Sequence, residues 1–232
     1  MTNKNPIPIH IGIIPDGNRR WARSRGLSSL KGHEKAAEKE RIKKLFSVSK
    51  NLGVKYLSLW GFSTENWKRS EKEKDNLFRI FFNLLDELED FLHKEEIRFR
   101  HFGRKDRISK KLANKIKKIE EETKKYDLFN FNICLDYGGR DEIIRAVDNV
   151  LKSGKRKMTE EEFQNFLDTK DIPDLDMIIR TSGEKRLSGF MPFQGVYAEL
   201  FFINKHFPDF SYKDLKKLIS DFGKRKRRFG GN

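Results

Sequence analysis

Short apolar runs rich in β-branched and aromatic residues recur along the chain at Ile9 to Ile14, Val54 to Phe62, Ile97 to Phe102, Phe129 to Leu135, Asp176 to Arg180 and Leu200 to Ile203. Runs of this length and composition read as strands. Charged segments with helical periodicity separate most of them: His33 to Asn51, Glu71 to His93, Lys105 to Tyr126, Asp141 to Lys152 and Tyr212 to Phe222. Strands alternating with helices predict an α/β fold, a mostly parallel central sheet of about six strands flanked by helices. No internal repeat or linker divides the chain, so residues 1–232 form a single predicted domain, with Lys152 to Thr159 a solvated loop.

With 232 residues, 36% of them hydrophobic, a substantial core is available. The formal charge of +15 implies attraction to polyanions: nucleic acid, an anionic membrane surface or phosphorylated small molecules. A single cysteine, Cys134 in an apolar run, excludes a disulfide framework and a cysteine-based zinc cluster and reads as a buried strand thiol. The N-terminus lacks a signal-peptide core and no later stretch could span a bilayer, so the expected location is cytoplasmic, with at most peripheral membrane contact.

One helix carries more apolar surface than contact with a single sheet needs. Leu77, Phe81, Leu84, Leu85, Leu88, Phe91 and Leu92 share a broad face, and Phe78, Ile80 and Phe82 spread beyond it. Two expectations follow, extra packing against a neighbouring helix or subunit, or a wall of a hydrophobic tunnel.

Three polar segments sit where predicted strands end. Ile13 to Trp21 contains Asp16 in a Gly-containing turn, neither a Walker loop nor a dinucleotide fingerprint. In open α/β sheets ligands bind beyond the carboxyl ends of strands, where Asp16 could hold Mg²⁺ against a phosphate and Arg20 add charge-assisted bonds. Gly61 to Arg69 supplies small polar groups and an arginine, although Ser63 or Thr64 would serve equally as a helix cap. Ile179 to Ser188 places two arginines and several hydroxyls beyond another strand, a donor set suited to a diphosphate.

The order of these segments, together with Gly32-His33, Tyr137-Gly138-Gly139-Arg140, Tyr197-Ala198-Glu199-Leu200 and Arg227-Arg228-Phe229-Gly230-Gly231, resembles the cis-prenyltransferase family of undecaprenyl diphosphate synthase type, from about His10 to Gly231. The resemblance implies condensation of isopentenyl diphosphate with an allylic prenyl diphosphate primer, farnesyl or geranylgeranyl diphosphate, to a cis-polyprenyl diphosphate. It implies Mg²⁺ as cofactor, with Asp16 and Glu199 as metal-associated carboxylates. Gly17, Asn18, Arg19, Arg20 and His33 match the allylic diphosphate site, with Trp21 and Trp67 beside its prenyl chain and Arg69 adding charge. Arg180, Arg186 and Ser188 match the isopentenyl diphosphate site, and Thr64, Glu65 and Leu187 lie in the same substrate-binding motifs. Asn66, with Ser63 nearby, matches a residue proposed to assist proton removal, although an amide is a poor base. The family is homodimeric, which assigns Arg228 and Gly230 to the partner's site.

Several positions depart from the family pattern. Ser29 replaces a phosphate-binding arginine and Lys185 a metal-contacting histidine; Gly189-Phe190-Met191-Pro192-Phe193 follows Ser188, and Asp136 precedes Tyr137 in place of asparagine. These bear on substrate choice and product length. A short product or unusual acceptor is the nearest competing reading, ahead of a noncatalytic partner subunit, which would lack Asp16. A nucleic-acid-binding protein rests on charge alone, without a recognisable module, so no nucleic-acid partner is expected.

Overall fold

The computed structural model describes residues 6–228. Its strands are β1 (His10–Ile14), β2 (Tyr56–Ser63), β3 (Ile97–Phe102), β4 (Phe129–Tyr137), β5 (Met177–Arg180) and β6 (Glu199–Phe202), which form one sheet in the order β3-β4-β2-β1-β5-β6. Every pairing is parallel, with Ile11 opposite both Leu57 and Met177, and Met177 opposite Glu199. The expected six-stranded α/β domain is therefore present.

The first strand, β1, lies in the interior of this sheet between β2 and β5. From β1 the sheet extends on one side through β2, β4 and β3, with β4 inserted between two earlier strands, and on the other through β5 and β6. Such a switch point opens a crevice at the carboxyl ends of the strands beside β1.

The helices are α1 (Asn18–Arg23), α2 (Ser29–Ala36), α3 (Lys39–Leu52), α4 (Glu71–Lys94), α5 (Lys110–Thr123), α6 (Gly139–Lys152), α7 (Glu160–Gln164) and α8 (Tyr212–Phe222). Side chains from α3, α4, α5 and α8 bury one sheet face, where Phe46 lies 4.4 Å from Phe131 between ring centres. On the other face Ile14, Trp60, Cys134, Tyr137 and Ile178 pack with Leu175, Phe190 and Met191 from the segment between β4 and β6. Among the described residues no helix is long and apolar enough to cross a membrane.

The segment expected as one helix from His33 to Asn51 is two, broken at Ala37 and Glu38. No proline or glycine causes the break. The largely buried Arg41 reaches back to the Ala36 carbonyl (2.9 Å), binds the Phe207 carbonyl and stacks on the Phe207 ring at 4.1 Å. Helix α5 likewise starts at Lys110 rather than Lys105, because Ser109 caps it and Arg104 ties the preceding loop to Asp106 and Asp141.

The surplus apolar surface of α4 is covered in part by the sheet and by long side chains of neighbouring helices. Phe78 packs on Phe62 at 5.1 Å, while Lys111 covers Phe82 at 4.1 Å and Lys43 covers Phe91 at 5.1 Å. Leu77, Ile80, Phe81 and Leu84 instead line an apolar cavity against the sheet.

Candidate active site

Strand β1 delivers Asp16 to the crevice through a turn fixed from two sides. The Thr181 hydroxyl accepts from the Asp16 amide and donates to the Asp16 carbonyl, each at 2.8 Å. Thr181 is fully buried. Gly17 follows at φ +91°, and a Cβ there would lie 2.4 Å from Ser182 Oγ and 2.5 Å from His206 Nδ1, so only glycine fits. Ser182 and His206 are hydrogen-bonded to each other at 2.7 Å, forming a polar floor beneath the turn.

The Asp16 carboxylate is the electrostatic centre. Its Oδ2 accepts from Arg180 Nη2 at 3.0 Å, and its Oδ1 accepts from the Gly17 amide at 2.6 Å and lies 3.3 Å from Arg20. Arg180 has a nearly buried side chain and also donates to Ser188 Oγ at 2.8 Å and to the Arg186 carbonyl. Arg20 is shared with Glu184 at 3.0 Å.

Two polar cavities meet at Asp16. One, of about 370 Å³, is lined by Asp16, Arg19, Arg20, Arg23, His33 and Arg69. The other, of about 410 Å³, adds Ser63, Glu65, Asn66, Arg180 and Ser188 to Asp16, His33 and Arg69. Five arginines, Arg19, Arg20, Arg23, Arg69 and Arg180, line the two cavities against two carboxylates, Asp16 and Glu65, and Glu73 offsets Arg69 at 3.3 Å and Arg19 at 3.8 Å. Burial, together with the charges of Arg69 and Arg19, lowers the His33 pKa to about 4, leaving a neutral imidazole at pH 7. Asn18 Oδ1 and His33 Nε2 are buried and make no hydrogen bond within the protein, as expected of groups set to meet a polar ligand.

Beyond Asn18 and His33 the lining turns apolar. Gly61, Leu77, Ile80, Phe81, Leu84 and Ile133 enclose a narrow cavity of about 40 Å³. Ala37, Ile80 and Leu84 are shared with an outer groove of about 700 Å³ between α2, α3 and α4.

Several residues singled out in the sequence lie away from the two polar cavities. Glu199 begins β6, level with Ile11 and roughly 16 Å along the strands from Asp16 at about 3.3 Å per residue. Its carboxylate binds Arg225 at 2.6 Å, so within one chain it cannot share a metal with Asp16. Trp67 faces inward: its indole N–H donates to Asp136 Oδ1 at 2.7 Å and its ring packs on Phe62 and Phe78. Trp21 donates to Asp209 at 2.7 Å and lines the outer groove. Thr64 packs on Gly138, Leu187 joins the core beneath the site, and the Arg186 guanidinium pairs with Glu184 at 2.6 Å.

Arg228 is exposed at the opposite end of the sheet, after Arg227 bound to Asp176 at 2.7 Å; Gly230 lies outside the described residues. The sequence assigned no role to Arg23 or His206 and counted Thr181 only among the hydroxyls of the third segment. Thr181 carried a signal, as a hydroxyl directly after a strand beside the Asp16 turn.

Glu89, His93 and Glu122 also lie together, on α4 and α5. Lys115 and Lys118 pair with Glu89, and Lys118 also approaches Glu122 at 3.7 Å, so this trio is a surface ion-pair network.

A parallel sheet with an arginine-rich polar crevice leading into an apolar throat is the architecture of an enzyme for a substrate with a charged head and a hydrocarbon tail. The chain belongs to the undecaprenyl diphosphate synthase family of prenyltransferases, whose sequence profile matches residues 14–230. It is 44% identical over 229 residues to an isoprenyl transferase of Thermotoga maritima, covering 97% of both chains. An isoprenyl transferase of Aquifex pyrophilus is 46% identical, covering 97% of this chain and 96% of the relative. The fold superposes with a TM-score of 0.92 on lavandulyl diphosphate synthase from Lavandula x intermedia, solved with dimethylallyl diphosphate, at 32% identity over 97% of this chain and 98% of that one.

Proposed function

We propose that the protein condenses isopentenyl diphosphate with an allylic prenyl diphosphate, farnesyl or geranylgeranyl, and extends the product to a cis-polyprenyl diphosphate of undecaprenyl type. The observation that carries this reading is the junction at Asn18, His33 and Gly61, where the polar crevice of Asp16 and Arg180 passes into the apolar cavity under α4. A diphosphate head fits the arginine side of that junction and a hydrocarbon tail the other.

Reaction breaks the allylic carbon–oxygen bond, releasing diphosphate; the isopentenyl double bond attacks the allylic carbon, and a proton is lost as the new double bond forms. Arg20, Arg69 and Arg19 stabilise negative charge growing on the leaving diphosphate, and Arg180 and Ser188 hold the second diphosphate. Asp16 suits Mg²⁺, which commonly takes one or two carboxylates and completes its shell with substrate phosphates and water. The ion would neutralise diphosphate charge as the bond breaks. Asn66 uses its side-chain oxygen to accept from the Ser63 amide at 3.1 Å. It therefore shapes the wall of the cavity, and the released diphosphate is the stronger base for the proton.

A homodimer is supported by an unburied apolar stripe on α6, Ile144, Val147 and Leu151, and by exposed Val196 ahead of β6. Arg228 lies at the far end of the sheet from its own chain's Asp16, which suits service to a partner's site.

A second reading, a short product, is favoured by the narrowness of the apolar cavity, about 40 Å³. Incubating the purified chain with Mg²⁺, labelled isopentenyl diphosphate and each primer, then sizing the products, separates the two. Absence of any incorporation would overturn both.

A further inference from the structure

The 3-10 turn Thr64–Lys68 carries Glu65 and Asn66 into the cavity of Asp16, Arg180 and Ser188, yet none of its own residues is buried. Such a short turn has little intrinsic stability and takes its position from what holds its end. That end is Trp67, whose ring stands edge-on to Phe62 at 5.6 Å and against Phe78 at 5.7 Å.

The polar grip on Trp67 comes from Asp136 at the carboxyl end of β4. Asp136 is fully buried and adopts φ +50°, a left-handed conformation that aspartate tolerates better than most residues. Its carboxylate is saturated by three N–H groups. Trp67 Nε1 donates to Oδ1 at 2.7 Å, Arg107 Nε donates to Oδ2 at 2.7 Å, and Arg107 Nη2 donates to Oδ1. The Arg107 guanidinium also lies over the Trp67 ring, 5.5 Å from its centre, with Lys74 at 5.1 Å.

We propose that Asp136, paired with Arg107, is a positioning residue that locks Trp67 and thereby sets Glu65 and Asn66 against the reacting groups. In this chain the carboxylate takes both arms of the guanidinium and the indole N–H together, whereas the asparagine of the family pattern would leave one guanidinium arm without an acceptor. Asp136 touches no substrate; it acts through Trp67. Displacing catalytic-site groups by a fraction of an ångström lowers the rate of the chemical step more than it weakens binding. The inference rests on the prenyl-transfer reading of the crevice.

The test compares wild type with Asp136→Asn, Trp67→Phe and Arg107→Gln as full chains. It uses kcat and KM for both diphosphates, thermal melting, and amide hydrogen exchange over residues 63–69. The latch predicts roughly tenfold lower kcat with KM changed less than about threefold. The Asp136→Asn, Arg107→Gln double variant should lose no more than the worse single variant, and Arg107→Lys should recover part of the loss. Exchange in the turn should quicken in all three single variants while the melting temperature of Trp67→Phe stays near wild type; Arg107→Gln, which leaves the buried Asp136 carboxylate without its cation, should melt lower. Trp67→Phe leaves the Asp136–Arg107 pair intact, so it tests the latch even if Asp136→Asn or Arg107→Gln does not fold. Unchanged exchange in the turn overturns the latch whatever the activity, as does wild-type kcat in Trp67→Phe and Arg107→Gln. A wild-type chain without prenyl transfer overturns the functional reading instead, leaving the exchange data to judge the latch.

Discussion

Asp16 and Arg180 meet at 3.0 Å across the carboxyl ends of β1 and β5, where the register sets Ile14 directly opposite Arg180. The metal-binding candidate and the arginine assigned to the second substrate are thus assembled by strand pairing. Each also keeps the other in place: Arg180 is held by Ser188, and Asp16 by Thr181 through its backbone.

Asp16→Ala should lower turnover by about a hundred- to thousandfold, the loss of one transition-state contact of about 3 to 4 kcal/mol. The stability cost should be near 1 kcal/mol, because the carboxylate is partly exposed and Arg180 keeps two other acceptors. Kinetics across a Mg²⁺ titration, paired with melting curves, decide the matter. Near-normal turnover in a folded variant would remove Asp16 from the chemistry.

Thr181→Val replaces the hydroxyl that serves both backbone groups of Asp16. The Asp16 amide still donates to the Ile14 carbonyl and the Asp16 carbonyl still accepts from the Phe207 amide, each at 3.0 Å, so loss of the hydroxyl should destabilise the fold by only about 1 kcal/mol. Turnover should fall more than this predicts at temperatures where the variant is fully folded, and Thr181→Ser should restore most of it.

At Gly61 an added Cβ would lie 2.6 Å from Leu135 Cδ2 and 2.8 Å from Phe81 Cζ. Gly61→Leu should therefore close the apolar cavity and shorten the product, whereas Phe81→Ala should widen it and lengthen the product. Product sizing on a common primer reads both; identical distributions in all three proteins would remove this cavity from the path of the tail.

Acid should destabilise the protein through His10. Its Nδ1 donates to the Pro173 carbonyl at 2.8 Å, so Nε2 accepts from the Ser58 hydroxyl at 2.7 Å, and burial lowers the pKa to about 4. The unfolded chain, with a histidine near 6.5, binds more protons between these values, so stability is complete above pH 6.5 and declines toward pH 4. His10 alone accounts for about 3 kcal/mol of that decline. Denaturant melts at pH 7 and pH 4.5 should show a smaller loss in His10→Gln than in wild type.

Shared sites in a homodimer predict complementation. Mixing inactive Asp16→Ala chains with inactive Arg228→Ala chains, once subunit exchange is verified, should restore a fraction of wild-type activity. Activity that stays at zero would confine each site to its own chain.

The elements were legible because their signals are local. β-branched runs and helical spacing mark all six strands and the main helices within a few residues of their ends. The break at Ala37 escaped because its cause, Arg41 bound to Phe207, joins residues 166 positions apart. Likewise the inward turn of Trp67 depends on Asp136, 69 positions away.

Sequence by itself determined which polar segments gather around Asp16, since each of them follows a strand and a parallel sheet sends all such segments to one edge. The same rule, applied to a residue that precedes its strand, puts Glu199 at the other edge, a signal the motif resemblance overrode. Only the tertiary structure decided the pairing of Asp16 with Arg180, the floor of Ser182 and His206 under Gly17, and the width of the cavity under α4. Those depend on register and on side chains brought together from distant elements, and spacing along the chain records neither.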